Sequence, residues 1–118
     1  MTSEIGNWHI AGACHEAHRR FCMALGEDVP PVWEDVPVWM RHSALTNVRI
    51  QLENPKISAA ERHWRWVQES QLDGWSLGPK DPEAKTHPNL RPFAELPRHQ
   101  QIKGEMFGAI VEALRDVR

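Results

Sequence analysis

From Trp8 to Leu25 the apolar residues Ile10, Ala13, Ala17, Phe21, Ala24 and Leu25 recur at the spacing of one helix face. Gly26 follows where a left-handed residue often closes a helix. Pro30 and Pro31 keep the Glu27–Val36 segment out of a helix and predict a tight loop with Trp33 folded back on the core. Pro37 suits the first turn of a second helix, where its missing N–H would be unpaired anyway. Val38, Ala44, Leu45, Val48 and Leu52 give that helix a buried stripe, and Asn54-Pro55 ends it. Ser58-Ala59-Ala60-Glu61 reads as a capping box opening a third helix, which runs to about Leu72 and stops at Asp73-Gly74.

Trp75–Gly78 alternates like a short strand, and Leu90–Phe93 is its expected partner, confined to an edge by Pro92. Pro97 opens a last helix whose buried face is predicted to be Ile102, Met106, Ala109, Ile110, Ala113, Leu114 and Val117. Gly104 and Gly108 lie one turn apart within it, at roughly 1 kcal/mol each relative to Ala, which points to close approach by another backbone or a flat ring. The predicted fold class is mainly α, four helices with a minor short β pair. The reading finds no internal repeat and no linker, so residues 10–118 are expected to form a single domain after an N-terminal extension of residues 1–9.

The 118 residues suffice for one domain, and a composition 41% hydrophobic with six Trp excludes a disordered chain. Fourteen Lys+Arg against sixteen Asp+Glu give a net charge of -2, which argues against a dedicated binder of duplex nucleic acid. No apolar run approaches the roughly 18 residues of a membrane span, and Met1–Gly6 lacks the features of a secretory signal. The expectation is a cytoplasmic protein without membrane contact. Cys14 and Cys22 fit it, since on one helix they stand about 12 Å apart along the axis, too far for a disulfide.

Four constellations are candidates for chemistry. In Cys14-His15-Glu16-Ala17-His18 the two His are three apart instead of four, and Cys14 and Cys22 cannot both reach one ion at about 2.3 Å, so a single-helix metal site fails. No nucleophile elbow, phosphate-binding glycine loop or dinucleotide fingerprint supports covalent or cofactor chemistry; no cofactor and no catalytic residue is expected. Trp64 and Trp66 lie about 200° apart around their helix. Trp64 aligns with Ala60, Val67 and Gln71 and is assigned to packing. Trp66 falls on the polar row of Arg62, His63 and Ser70, where it is either a lid on the core or a platform for a flat ring, a contact worth about 1–3 kcal/mol for a nucleobase. In the Pro79–Asn89 segment, Lys80, Lys85 and His87 can gather around phosphate while Asp81 accepts from a ribose hydroxyl; the alternative is a solvated turn.

An ordered set of residues spans nearly the whole chain, from Ile10 to Leu114. Cys14-His15-Glu16-Ala17 is followed by Trp33-Glu34-Asp35, then Pro37, Trp39, Arg41, Ser43 and Ala44. His63 and Trp66, Asp73-Gly74-Trp75, Gly78-Pro79, Lys80-Asp81, Lys85, His87-Pro88, Leu90 and Glu95-Leu96-Pro97 complete it. This set resembles the RyR domain, the module repeated in ryanodine receptors and found singly in bacterial and phage proteins. The chain departs from the family pattern in lacking a residue often present between Gly78-Pro79 and Lys80-Asp81, in Leu77 where an aromatic is usual, and in Asn89 where Cys is frequent. These departures bear on the pocket more than on the fold.

The resemblance implies a compact helical domain that binds an adenine nucleotide against a tryptophan, matched here by Trp66, and that works in pairs. From it follows the expectation of a non-catalytic binding module for a nucleotide-derived small molecule, an adenine nucleotide or an ADP-ribose-type signal, acting as a sensor or as a sequestering sponge in anti-phage signalling. Trp66 would stack on the base with His63 and Arg62 in support; Lys80, Lys85, His87 and Arg41 would meet phosphates, with Asp81 on the ribose. A homodimer with ligand at or near its interface is expected. Two alternatives stand beside it: a protein-interaction domain without a small ligand, and a hydrolase of a nucleotide messenger using His15, Glu16 or His87.

Overall fold

The computed structural model describes residues 4–116. Four helices, α1 (Glu4–Leu25), α2 (Val38–Glu53), α3 (Ala59–Leu72) and α4 (Arg98–Leu114), surround one core, and two two-residue strands, β1 (Ser76–Leu77) and β2 (Thr86–His87), lie between α3 and α4. The mainly α fold with a minor β pair stands. Because α1 begins at Glu4, the separate extension expected before residue 10 is instead helix as far as it is described.

The punctuation residues act as the sequence predicts. Gly26 and Gly74 close α1 and α3 at φ +73° and +90°. Pro37 and Pro97 are the N-cap residues of α2 and α4. Ser58 Oγ accepts the Glu61 N–H at 3.1 Å, but the Glu61 carboxylate takes Arg65 as its partner, so the box is closed on one side. Trp33 is buried in a 3-10 turn (Trp33–Asp35) beside Ile10, Ala11 and Cys14 of α1, Val48 of α2 and Val111 of α4.

Four expectations about faces and pairing need correction. On α1, Ala13, Ala24 and Leu25 are exposed, and the helix instead buries Ile10, Ala11, Cys14, His15 and Cys22. Val38 is 77% exposed, as the first residue of α2 rather than part of its stripe. Ala109 and Ala113 are exposed, and α4 instead buries Lys103, Gly108 and Val111; Val117 lies outside the described residues. Leu90–Phe93 forms no strand. The partner of β1 is β2, paired in parallel with Ser76 opposite Thr86 and Leu77 opposite His87. The link between them folds tightly through mutual Asp81 and Thr86 backbone hydrogen bonds and a left-handed Lys85 at φ 56°.

The helices also form a repeat, where none was expected from the sequence. The first half runs α1, 3-10 turn, Pro37, α2; the second runs α3, the strand pair, a second 3-10 turn (Phe93–Glu95), Pro97, α4. His15 Nε2–H donates to the Pro31 carbonyl at 2.7 Å, two residues before Trp33, and its ring centroid is 5.6 Å from that Trp. His63 Nε2–H donates to the Arg91 carbonyl at 2.8 Å, two residues before Phe93, with its ring 5.8 Å away. Val36 N–H bonds Trp33 O as Leu96 N–H bonds Phe93 O, and Arg41 N–H bonds Pro37 O as Gln101 N–H bonds Pro97 O. Thus α3 repeats α1, and α4 repeats α2. The second half carries the longer insertion between its helices, which holds both strands.

Candidate functional site

A cavity of about 530 Å³ opens between the two halves, within the roughly 300–1,000 Å³ of small-molecule sites. Equivalent positions of the repeat line it: His15 and His18 of α1 with His63 and Trp66 of α3, and Cys14 with Arg62. From α2 and α4 come Met40 with Gln100, Ser43 with Lys103, Ala44 with Gly104, and Asn47 with Phe107. Lys80, His87, Pro88 and Asn89 close one side from the strand segment, and Glu27–Pro30 close another from the first loop.

The α3 row decides the aromatic wall. Its inward face carries Arg62, His63 and Trp66, whereas Trp64, expected to pack, is 46% exposed. Trp66 is held on three sides. Its indole N–H donates to Ser43 Oγ at 2.6 Å, His63 lies tilted at 5.5 Å, and His87 meets it edge-on at 5.7 Å. Trp39 adds a second indole at the same end, 6.1 Å from His87, with Lys80 Nζ 5.6 Å from its centroid.

Arg62 is buried and bridges the halves. Its Nη1 donates to Gln51 Oε1 of α2 at 2.8 Å, its Nη2 donates to the Gly104 carbonyl of α4, and its guanidinium lies over the Phe107 ring at 5.3 Å. Both acceptors are neutral. The carboxylate one step further on, Glu112, bonds Gln51 at 2.7 Å and is itself paired with Arg115. Burial holds the Arg62 pKa below its usual value, so the site carries a desolvated positive charge without a carboxylate of its own. The glycines of α4 make room for it: Gly104 abuts the Phe93 ring and Gly108 the guanidinium. The flat group expected there is thus partly a ring and partly an arginine.

Three of the cavity histidines, His18, His63 and His87, are pushed toward the neutral form. Burial, then Lys103, His15 and Lys80, bring the His18 pKa down to about 4; burial, then Lys80 and His63, do the same to His87. Burial also lowers His63, against the opposing carbonyls of Arg91 and Asn89. The Asn89 N–H donates to His87 Nδ1 at 3.0 Å, which leaves the proton of the neutral ring on Nε2. Cys22 Sγ lies 3.6 Å from His18 Nε2, but an imidazole with a pKa near 4 is a poor acceptor for a thiol proton. Burial pushes the Cys14 thiol up to about 12. Both cysteines are free, and among the described residues no three His, Cys, Asp or Glu gather as metal ligands.

Of the predicted site residues, Trp66, His63, Arg62, Lys80 and His87 meet at the cavity and three do not. Arg41 lies over Trp8 at 4.9 Å and donates to the Val36 carbonyl, tying α2 to the first turn. Asp81 accepts the Glu83 and Ala84 N–H groups and so shapes its own loop. Lys85 Nζ donates to the Asp73 carbonyl at 2.8 Å, a cation closing the end of α3. Of the three residues named for a hydrolase, Glu16 is away from the cavity, paired with Arg19 and Arg20, whereas His15 and His87 both line it. Trp39, Ser43, His18 and Lys103 line the cavity as well, beyond the residues expected there. A signal existed for the first two, which belong to the RyR-like set, while Lys103 is hidden in an apolar helix and pairs with Glu27 at 2.7 Å.

Among the described residues no helix is long and apolar enough to cross a membrane. No protein-family model matches the chain, and no curated protein and no solved structure matches it.

Proposed function

We propose that this chain is a non-catalytic binding module for a nucleotide-derived small molecule, an adenine nucleotide or an ADP-ribose-type compound, in line with its resemblance to RyR domains. The observation that carries the reading is a cavity lined both by Trp66, held by Ser43, His63 and His87, and by the cations Lys80 and Arg62. A fixed indole face attracts a nucleobase, and a desolvated guanidinium favours an anion. A platform held before the ligand arrives also lowers the ordering cost of binding.

Holding the ligand, rather than transforming it, accords with the low basicity of His18 and with the position of Glu16 outside the cavity. A homodimer and a cytoplasmic location belong to the same reading. The two like halves enclose a cavity within one chain, which supports a ligand held inside each protomer of such a dimer.

Native mass spectrometry of the full chain, followed by titration with adenine nucleotides and ADP-ribose, tests this. A discrete adduct that is released chemically intact supports it. A chain that stays bare against every compound refutes it and favours a protein-interaction domain, and release of an altered ligand favours a hydrolase.

A further inference from the structure

The repeat divides the cavity into two ends that are alike in plan and different in chemistry. At one end the ring pair is His63 and Trp66, 5.5 Å apart; at the other it is their counterparts His15 and His18, 6.4 Å apart and nearly parallel at 20°. In each pair the first histidine is anchored through Nε2–H to a backbone carbonyl. The Trp66 end is aromatic, with Trp39 and His87 beside it. The His18 end is polar, bordered by Glu27, Asp28 and Lys103, which offer carboxylate acceptors and an ammonium donor.

Arg62 stands where the ends meet. It takes the place in the second half that Cys14 takes in the first, and it bonds α2 of one half and α4 of the other. A buried cation whose acceptors are all neutral is costly unless an anion completes it. From the strand segment the cavity also receives the ammonium of Lys80, which sits exposed over Trp39.

Resting on the nucleotide-binding reading above, we infer that the cavity takes a two-ended ligand: a nucleobase against Trp66, a phosphate or diphosphate linker at Arg62, and a second, hydroxyl-bearing ring at the His18 end. The chemical class is a nucleoside diphosphate joined to a further polar ring. A mononucleotide fills one end and the centre. Hydroxyls of the second ring accept from and donate to His18, Glu27 and Lys103, groups that a simple nucleotide leaves untouched.

The test is calorimetric titration of the full chain with adenosine, AMP, ADP and ADP-ribose. AMP is expected to bind at least fivefold tighter than adenosine, and ADP-ribose at least fivefold tighter than ADP. In Arg62→Met the first ratio falls below fivefold; in His18→Ala only the second does; Lys85→Gln, whose side chain lies at the end of α3, changes neither. If wild-type ADP-ribose binds less than fivefold tighter than ADP, the two-ended ligand is wrong even though nucleotide binding stands. If AMP shows less than a fivefold gain over adenosine, Arg62 is not the anion site. Should Arg62→Met fail to fold, the wild-type ratios and His18→Ala still decide. Binding of none of the four compounds overturns this inference together with the reading it rests on.

Discussion

A methyl group built on Gly108 of α4 would lie 2.6 Å from Nη1 of Arg62 on α3, closer than real carbon contacts come. Arg62 also bonds Gln51 of α2, so one guanidinium couples three helices. That relationship inverts an ordinary rule. Replacing a mid-helix Gly by Ala stabilises an exposed helix by roughly 1 kcal/mol, yet overpacking a core costs about 1–3 kcal/mol.

Gly108→Ala is therefore expected to destabilise the fold by about 1–3 kcal/mol in urea denaturation. Gly104→Ala comes no closer than 3.2 Å to the edge of the Phe93 ring and 3.7 Å to Arg62 Nη2, and should cost less. A Gly108→Ala protein as stable as the parent would show that the guanidinium moves aside freely.

The pH dependence of stability has a sign that follows from His18 and His87. Both are lowered from 6.5 to about 4 in the folded chain, so below pH 6.5 the unfolded chain binds more protons. Stability is full above pH 6.5 and falls as the pH drops toward 4, by an amount on the order of a few kcal/mol for the pair. The carboxylates act in a lower window: Arg115 and Gln51 hold Glu112 down to about 2, so its contribution is lost only as the pH falls below about 4.5. Urea melts at pH 7, 5.5 and 4.5 check this, and a double His18→Gln, His87→Gln variant should flatten the decline over that range.

Much of the architecture was legible because chain reversals are marked by residues with one physical use. Gly26, Gly74, Ser58, Pro37 and Pro97 all stand at the helix ends they predict. Inward faces were harder to read, since a helix that lines a polar cavity turns polar residues inward. The polar row of Arg62, His63 and Trp66 allowed either a lid on the core or a ring platform, and it lines the cavity; Trp64, assigned to packing, faces outward instead. Buried Lys103 escaped for the same reason, being neutralised by Glu27 from a distant loop. The repeat was invisible because the halves share little beyond His15 with His63, the aromatic turns and the two prolines.

Burial sets the reactivity of the Cys14 thiol. With its thiol pushed up to about 12 by burial, Cys14 should resist iodoacetamide in the folded chain at pH 8. Peptide mapping after labelling, with and without urea, measures it. Rapid native labelling of Cys14 would mean that its surroundings open readily.

The two tryptophans of α3 provide a matched pair. Trp64 is 46% exposed and off the cavity, so Trp64→Ala should leave ligand affinity unchanged. Trp66→Ala removes the stacking face and should weaken binding at least tenfold, equivalent to about 1.4 kcal/mol or more, while circular dichroism still reports a helical fold. Trp66→Phe keeps a ring but loses the bond to Ser43, and should fall between them.

The most direct measurement is native mass spectrometry of the parent, Trp64→Ala and Trp66→Ala chains in the presence of ADP-ribose. One intact ligand per chain is predicted for the parent and for Trp64→Ala, with the adduct largely lost from Trp66→Ala. Equal occupancy in all three proteins, or none in any, would contradict a binding site built on the Trp66 wall of the cavity.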